Sequence, residues 1–115
     1  MMITTILVAC NTSTLSMSEI EIVPTDVQDK IDSNYELQLI YDGEDIAYVV
    51  YRSNGIVVTD LEVKGDTLRI KLDETNKKDD VIEQFVYKLT LDPEHKVIDV
   101  LINGKSKPFD NVSSL

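Results

Sequence analysis

In 115 residues the chain holds one cysteine, one histidine, no tryptophan, two phenylalanines and four glycines. A lone cysteine cannot close a disulfide within its own chain, so the fold must stand on its core. One histidine and one cysteine also leave a zinc site short of three protein ligands. The histidine, His95, lies in Asp92-Pro93-Glu94-His95, the composition of an exposed turn, and no other histidine is present to serve a Ser, Thr or Cys nucleophile. No G-x-S-x-G, phosphate-binding loop or dinucleotide fingerprint occurs. Basic residues are scarce, 11 against 21 acidic ones, and the net charge is −10. Such a surface repels phosphate backbones, which argues against nucleic-acid binding. No apolar run approaches the roughly 20 residues that cross a bilayer.

Acidic residues are plentiful, and two runs could offer oxygen ligands: Asp42-Gly43-Glu44-Asp45, and Asp73-Glu74-Thr75-Asn76 with Asp79-Asp80. Neither has EF-hand spacing, and both have the composition of solvated turns. No carboxylate pair is set apart by apolar surroundings, which splitting their pKa values for acid–base work would require. The expectation is therefore no metal, no cofactor and no catalytic residue.

The dominant period along the body of the chain is two. Tyr35, Leu37 and Leu39 alternate with polar neighbours; Asp42-Gly43 separates them from Ile46–Tyr51, and Asn54-Gly55 separates that run from Ile56–Val63. Both dipeptides suit tight hairpin turns, so three consecutive antiparallel strands are expected. Gly65-Asp66 leads into Thr67–Leu72, Asp73–Asp80 reads as a solvated loop, and Phe85, Tyr87, Leu89 and Leu91 alternate again. Val97–Ile102 forms a last long strand closed by Asn103-Gly104, and Lys105–Leu115 is expected along a sheet edge or frayed. Ile20 and Ile22 suggest an early strand. One short helix is expected over residues 25–31, with Thr25 as N-cap and Val27 and Ile31 packed on the sheet. These elements predict an all-β domain, an antiparallel meander of six or seven short strands closing as a small sandwich or half-open barrel. Arg69, Lys71 and Lys88 are expected to guard its edges.

Leu7-Val8-Ala9-Cys10 places two aliphatic residues and a small one before the sole cysteine, at the switch from an apolar to a Ser/Thr-rich stretch. It resembles the lipobox of bacterial lipoproteins. The resemblance implies diacylglycerol on the Cys10 sulfur, cleavage before Cys10, and a lipid-anchored protein on the extracytoplasmic face of the membrane. Residues 1–9 then represent the tail of a signal peptide whose basic start lies upstream, 10–18 a tether, and 19–115 one β domain. The alternative is a buried terminal strand over Ile3–Val8 with Cys10 an ordinary core thiol. Over Gly55–Leu89, a strand ending in a glycine turn, an alternating strand-turn-strand pair and then Val81-Ile82-Glu83-Gln84 leading to Tyr87 are similar to the C-terminal domain of PrcB-type accessory subunits of bacterial surface proteases. In that family Gly-Tyr stands where this chain has Gly55-Ile56. It implies a binding role with no catalytic residue.

Tyr48 and Tyr51 are three positions apart, so a regular strand points them to opposite faces. With Tyr87 they are the candidate recognition surface, exposed tyrosines being common anchors; core tyrosines with hydroxyls at the rim are the alternative. The function expected is a non-catalytic surface lipoprotein that binds another envelope or secreted protein. A small cell-surface enzyme using clustered carboxylates and a purely structural envelope lipoprotein are the alternatives.

Overall fold

The computed structural model describes residues 15–75, 81–92 and 97–115. Among them are nine strands and one helix: β1 (Ser16–Glu19), α1 (Thr25–Lys30), β2 (Leu37–Asp42), β3 (Ile46–Ser53), β4 (Ile56–Lys64), β5 (Thr67–Thr75), β6 (Glu83–Thr90), β7 (Val97–Ile102), β8 (Lys105–Ser106) and β9 (Asn111–Ser114). They form two sheets. The larger has the order β9-β2-β3-β6-β1, the smaller β4-β5-β7-β8. The domain is all-β, and neither sheet closes into a barrel; the two stack as a sandwich.

The main core lies between the sheets. Leu37, Leu39, Ala47, Val49, Tyr51, Tyr87 and Leu89 of the larger sheet pack with Leu68, Ile70, Leu72 and Val100 of the smaller. The strict alternation of β5, with Leu68, Ile70 and Leu72 buried and Arg69 and Lys71 half-buried, is what a sheet with one wet face produces. β3 and β6 differ, because the larger sheet is covered on both sides. Its second face carries Ile40, Tyr48, Val50 and Val86, closed over by Val27 of α1 with Ile20, Val23 and Ile31 at the margin. A six-residue helix does not persist in water by propensity. Here full burial of Val27 contributes about 1.5–3 kcal/mol. Gln38, completely buried on that face, donates to Asp32 O (2.8 Å) and accepts from Asp32 N–H (3.0 Å), which fixes the chain leaving the helix.

Several expectations are corrected by this topology. The Asp42-Gly43 hairpin forms, with β2 and β3 antiparallel and Gly43 at φ 74°. Asn54-Gly55 makes no hairpin: β4 leaves the larger sheet and pairs with β5. Gly55 is not at positive φ, and its N–H donates to Ser53 Oγ (3.0 Å), turning the chain across the sandwich. Such crossings replace the meander with mixed sheets, in which β5–β7 and β2–β9 are parallel. Asn103-Gly104 does form a two-residue turn, both residues at positive φ (52° and 82°), as a type I′ hairpin demands.

Strand boundaries shift too. Ser16–Ser18, assigned to the tether, lie in β1, where Met17 packs against the core. Ile20 and Ile22 follow that strand, and Ile22 is almost fully exposed. β5 continues through Thr75, so Asp73, Glu74 and Thr75, expected in a loop, belong to the strand. Thr25 is the first helical residue; Pro24 occupies the N-cap, with no side-chain cap. Arg69, Lys71 and Lys88 sit on interior strands, not edges. The C-terminal stretch does lie on a sheet edge, as β9.

Candidate functional site: the cleft end and the β4 edge

β3 ends where β5 ends, in opposite sheets, and the gap between them opens into a cleft of about 460 Å³. Period two puts Ser53 on the same face as Tyr51 and Val49, so a polar residue falls on an apolar face. Ser53 meets this by donating to Glu74 Oε2. The Tyr51 hydroxyl also bonds the Glu74 carboxylate, and burial followed by this bond raises the Tyr51 pKa. Glu74 N–H in turn donates to Asn103 Oδ1 (2.8 Å). The rim carries charge that is already engaged: Lys107 Nζ lies 3.1 Å from Glu36 Oε1, and Arg52 Nη1 donates to Gln84 Oε1 (3.4 Å).

This constellation is a tie between sheets. A carboxylate that accepts two hydroxyl hydrogens has its oxygens engaged by the fold itself. Among the described residues no histidine accompanies it, and no group of three or more His, Cys, Asp or Glu is placed to hold a metal ion. In the sequence Ser53 carries no mark, and Glu74 stands out only within the acidic run Asp73-Glu74-Thr75-Asn76, whose composition is that of a solvated turn. The available signal was the serine at an inward position of a strand.

Around the same end, apolar side chains face water. Ile56 (55% exposed) opens β4 opposite Thr75, the residue after Glu74, and Val58 (60%) follows on the same outer face. Val81 (47%) and Ile82 (62%) precede Glu83, which pairs with Ser53. Ile82 lines the cleft. β4 itself is an edge strand: its nine residues pair only with β5, and among the described residues nothing pairs its other side. The other edges are shorter, four residues in β1, four in β9 and two in β8. No protein-family model, curated protein or solved structure matches this chain.

The sequence-derived candidates separate. Tyr48 and Tyr51 do point to opposite faces, one into each core cluster. All three tyrosines are nevertheless buried, at 5%, 2% and 2% exposure for Tyr48, Tyr51 and Tyr87, so they form no exposed recognition surface. Central strands covered on both sides left no wet face for them. Tyr87 stacks on Phe85 with ring centroids 6.5 Å apart, and its hydroxyl is buried and has no hydrogen-bond partner among the described residues. Burial, and secondarily Glu19, raise its pKa; burial, then Asp42 and Asp26, do the same for Tyr48. Cys10 and His95 lie outside the described residues.

Proposed function

We propose that this protein is a non-catalytic, lipid-tethered binding module of the bacterial cell surface, engaging another envelope or secreted protein through the cleft end of its sandwich. The observation that carries the binding role is the nine-residue edge of β4, unpaired among the described residues, with Ile56 and Val58 exposed along it and exposed Ile82 lining the cleft. Exposed apolar groups beside a free strand edge are a feature of interaction sites. The address rests on Leu7-Val8-Ala9-Cys10. A diacylglycerol on Cys10 supplies two acyl chains, sufficient for stable anchoring. The similarity over Gly55–Leu89, which spans β4, β5 and most of β6, makes a surface protease the first partner to test.

The two parts fit geometrically. β1 starts six residues after Cys10, so a fully extended link spans at most about 20 Å. Ser16 pairs with Thr90, which also pairs with Ile46 beside the Asp42–Asp45 turn. That is the end of the larger sheet opposite Ser53 and the cleft. A tether there directs the cleft end outward. Asp42, Glu44 and Asp45 then face anionic lipid and hold the domain off the surface by repulsion.

The test is made in a bacterial host, with the protein expressed from its own gene. Labelled fatty acid should be incorporated, and Cys10→Ser should abolish the labelling. A photo-crosslinking residue at Ile82 should capture protein from intact cells where the same residue at Glu44 does not. Labelling that survives Cys10→Ser, or capture equal at the two positions, overturns the corresponding half of the proposal.

A further inference from the structure

We infer that β4 is the receptor strand for an extended segment of a basic partner, which adds to the smaller sheet with apolar residues opposite Ile56 and Val58 and a Lys or Arg opposite Asp60. This rests on the binding role proposed above and names the chemistry of its partner. A free edge offers a row of backbone donors and acceptors, and an added strand draws affinity from that row and specificity from alternate side chains. β4 presents nine residues of such edge. On its outer face the sequence runs Ile56, Val58, Asp60, Glu62, Lys64, apolar toward the cleft and charged beyond it.

The charges along that row are not equivalent. Glu62 is neutralised by Arg69 (3.3 Å) and Lys71 (3.0 Å) of β5. Lys71 stands directly opposite Asp60 yet gives its ammonium to Glu62, and among the described residues no cation bridges Asp60. Asp60 instead accepts from the backbone N–H of Leu61 (2.9 Å). A strand laid along β4 therefore meets one exposed carboxylate two positions beyond two exposed aliphatic residues. A cation opposite Asp60 completes the row.

A second copy of this chain does not fit. In two-fold antiparallel pairing of β4 with itself, registers centred on Asp60 or Leu61 set Asp60 against a carboxylate, and the one centred on Glu62 gives Asp60 a Lys64 but opposes the two Glu62 and leaves Ile56 and Val58 beyond the end of the partner strand. Those centred on Val58 or Thr59 lay Asp60 against Ile56 or Val58. Like charges directly opposed destabilise a sheet pair, and each copy carries a net charge of −10. The same charge attracts a basic partner.

Two synthetic peptides of alternating Val and Thr, differing only in Lys or Glu at the position that meets Asp60, test this against the full chain. The Lys peptide should bind about fivefold more tightly, the scale of a favourable cross-strand pair, and slow amide exchange within Ile56–Lys64. Asp60→Lys, a change at an exposed position, should reverse the preference. Equal affinity for both peptides, protection on β1 or β9, or binding of neither peptide overturns the inference. If the peptides fail while crosslinking at Ile82 persists in cells, the β4 partner is wrong and the binding function stands. If crosslinking fails as well, the function itself falls.

Discussion

Ser53 on β3 and Glu74 on β5 belong to different sheets, and the Ser53 hydroxyl donates to the Glu74 carboxylate across the open end of the sandwich. The same hydroxyl oxygen accepts from Gly55 N–H, so one side chain both ties the sheets and turns the chain between them. Hydrogen bonds to a charged group contribute about 1.5–3 kcal/mol each. Ser53→Ala should lower unfolding stability by about that amount in urea titrations. Tyr51→Phe, which removes the other hydroxyl on Glu74, should act in the same direction. The double variant should lose less than the sum, because both report on one carboxylate.

The three buried tyrosines predict how the fold fails in alkali. Each has its pKa raised, primarily by burial. A raised folded value means that the neutral phenol is favoured in the native state. That contribution is complete below the unfolded tyrosine value, about 10, and is lost as pH climbs toward the folded values. Unfolding stability should therefore decline above pH 10, with tyrosinate absorbance appearing together with loss of structure.

Tyr87→Phe should behave oppositely to Tyr51→Phe. Among the described residues the buried Tyr87 hydroxyl has no partner, so its removal discards a desolvated polar group and breaks no hydrogen bond with them. We expect stability at neutral pH to be unchanged within about 0.5 kcal/mol or increased, with a shallower alkaline decline. Urea midpoints at neutral and alkaline pH check both statements.

These relationships show where the sequence was informative. Alternation located β5 and β6 closely because Leu68, Ile70 and Leu72 of the one and Tyr87 and Leu89 of the other form apolar inward rows, broken only by Glu74 near the end of β5. It failed at Asn54-Gly55 because the dipeptide is identical in composition to a hairpin turn, and only the φ of Gly55 and its bond to Ser53 distinguish a corner from a hairpin. β1 escaped because Ser16-Met17-Ser18-Glu19 has the polarity of a tether; as an edge strand it buries little beyond Met17. The tyrosines were misplaced for the converse reason. β3 is covered on both faces, so polarity along it carries no information about which side is wet. Glu74, read as part of a solvated loop, took its role from a partner in another sheet, and no local pattern encodes such a meeting.

Asp110 provides a further test, at the C-terminal edge. Its Oδ2 accepts from Glu36 N–H (3.1 Å) and Leu37 N–H (3.0 Å), and its own N–H donates to Leu37 O (2.8 Å). This clasp sets the parallel register of β9 on β2, which ends with Leu115 N–H on Tyr41 O (2.8 Å). Asp110→Ala should cost about 1–3 kcal/mol. Hydrogen exchange should accelerate first in Asn111–Ser114, while the amides of β3 and β6 stay protected.

At the acid end the informative group is Glu62. Lys71, by hydrogen bond and charge, holds its carboxyl below the ordinary carboxylate value, and Arg69 adds to the effect. A depressed folded pKa stabilises the native state above the unfolded value, about 4.3 for Glu, and that stabilisation disappears as pH falls through the folded value. The group is solvent-accessible, so the effect should shrink with added salt. Lys71→Gln should move the Glu62 titration, followed by side-chain NMR, further back toward the ordinary value than Arg69→Gln does. An equal return in the two variants would mean that Glu62 senses the face as a whole instead of one ammonium at 3.0 Å.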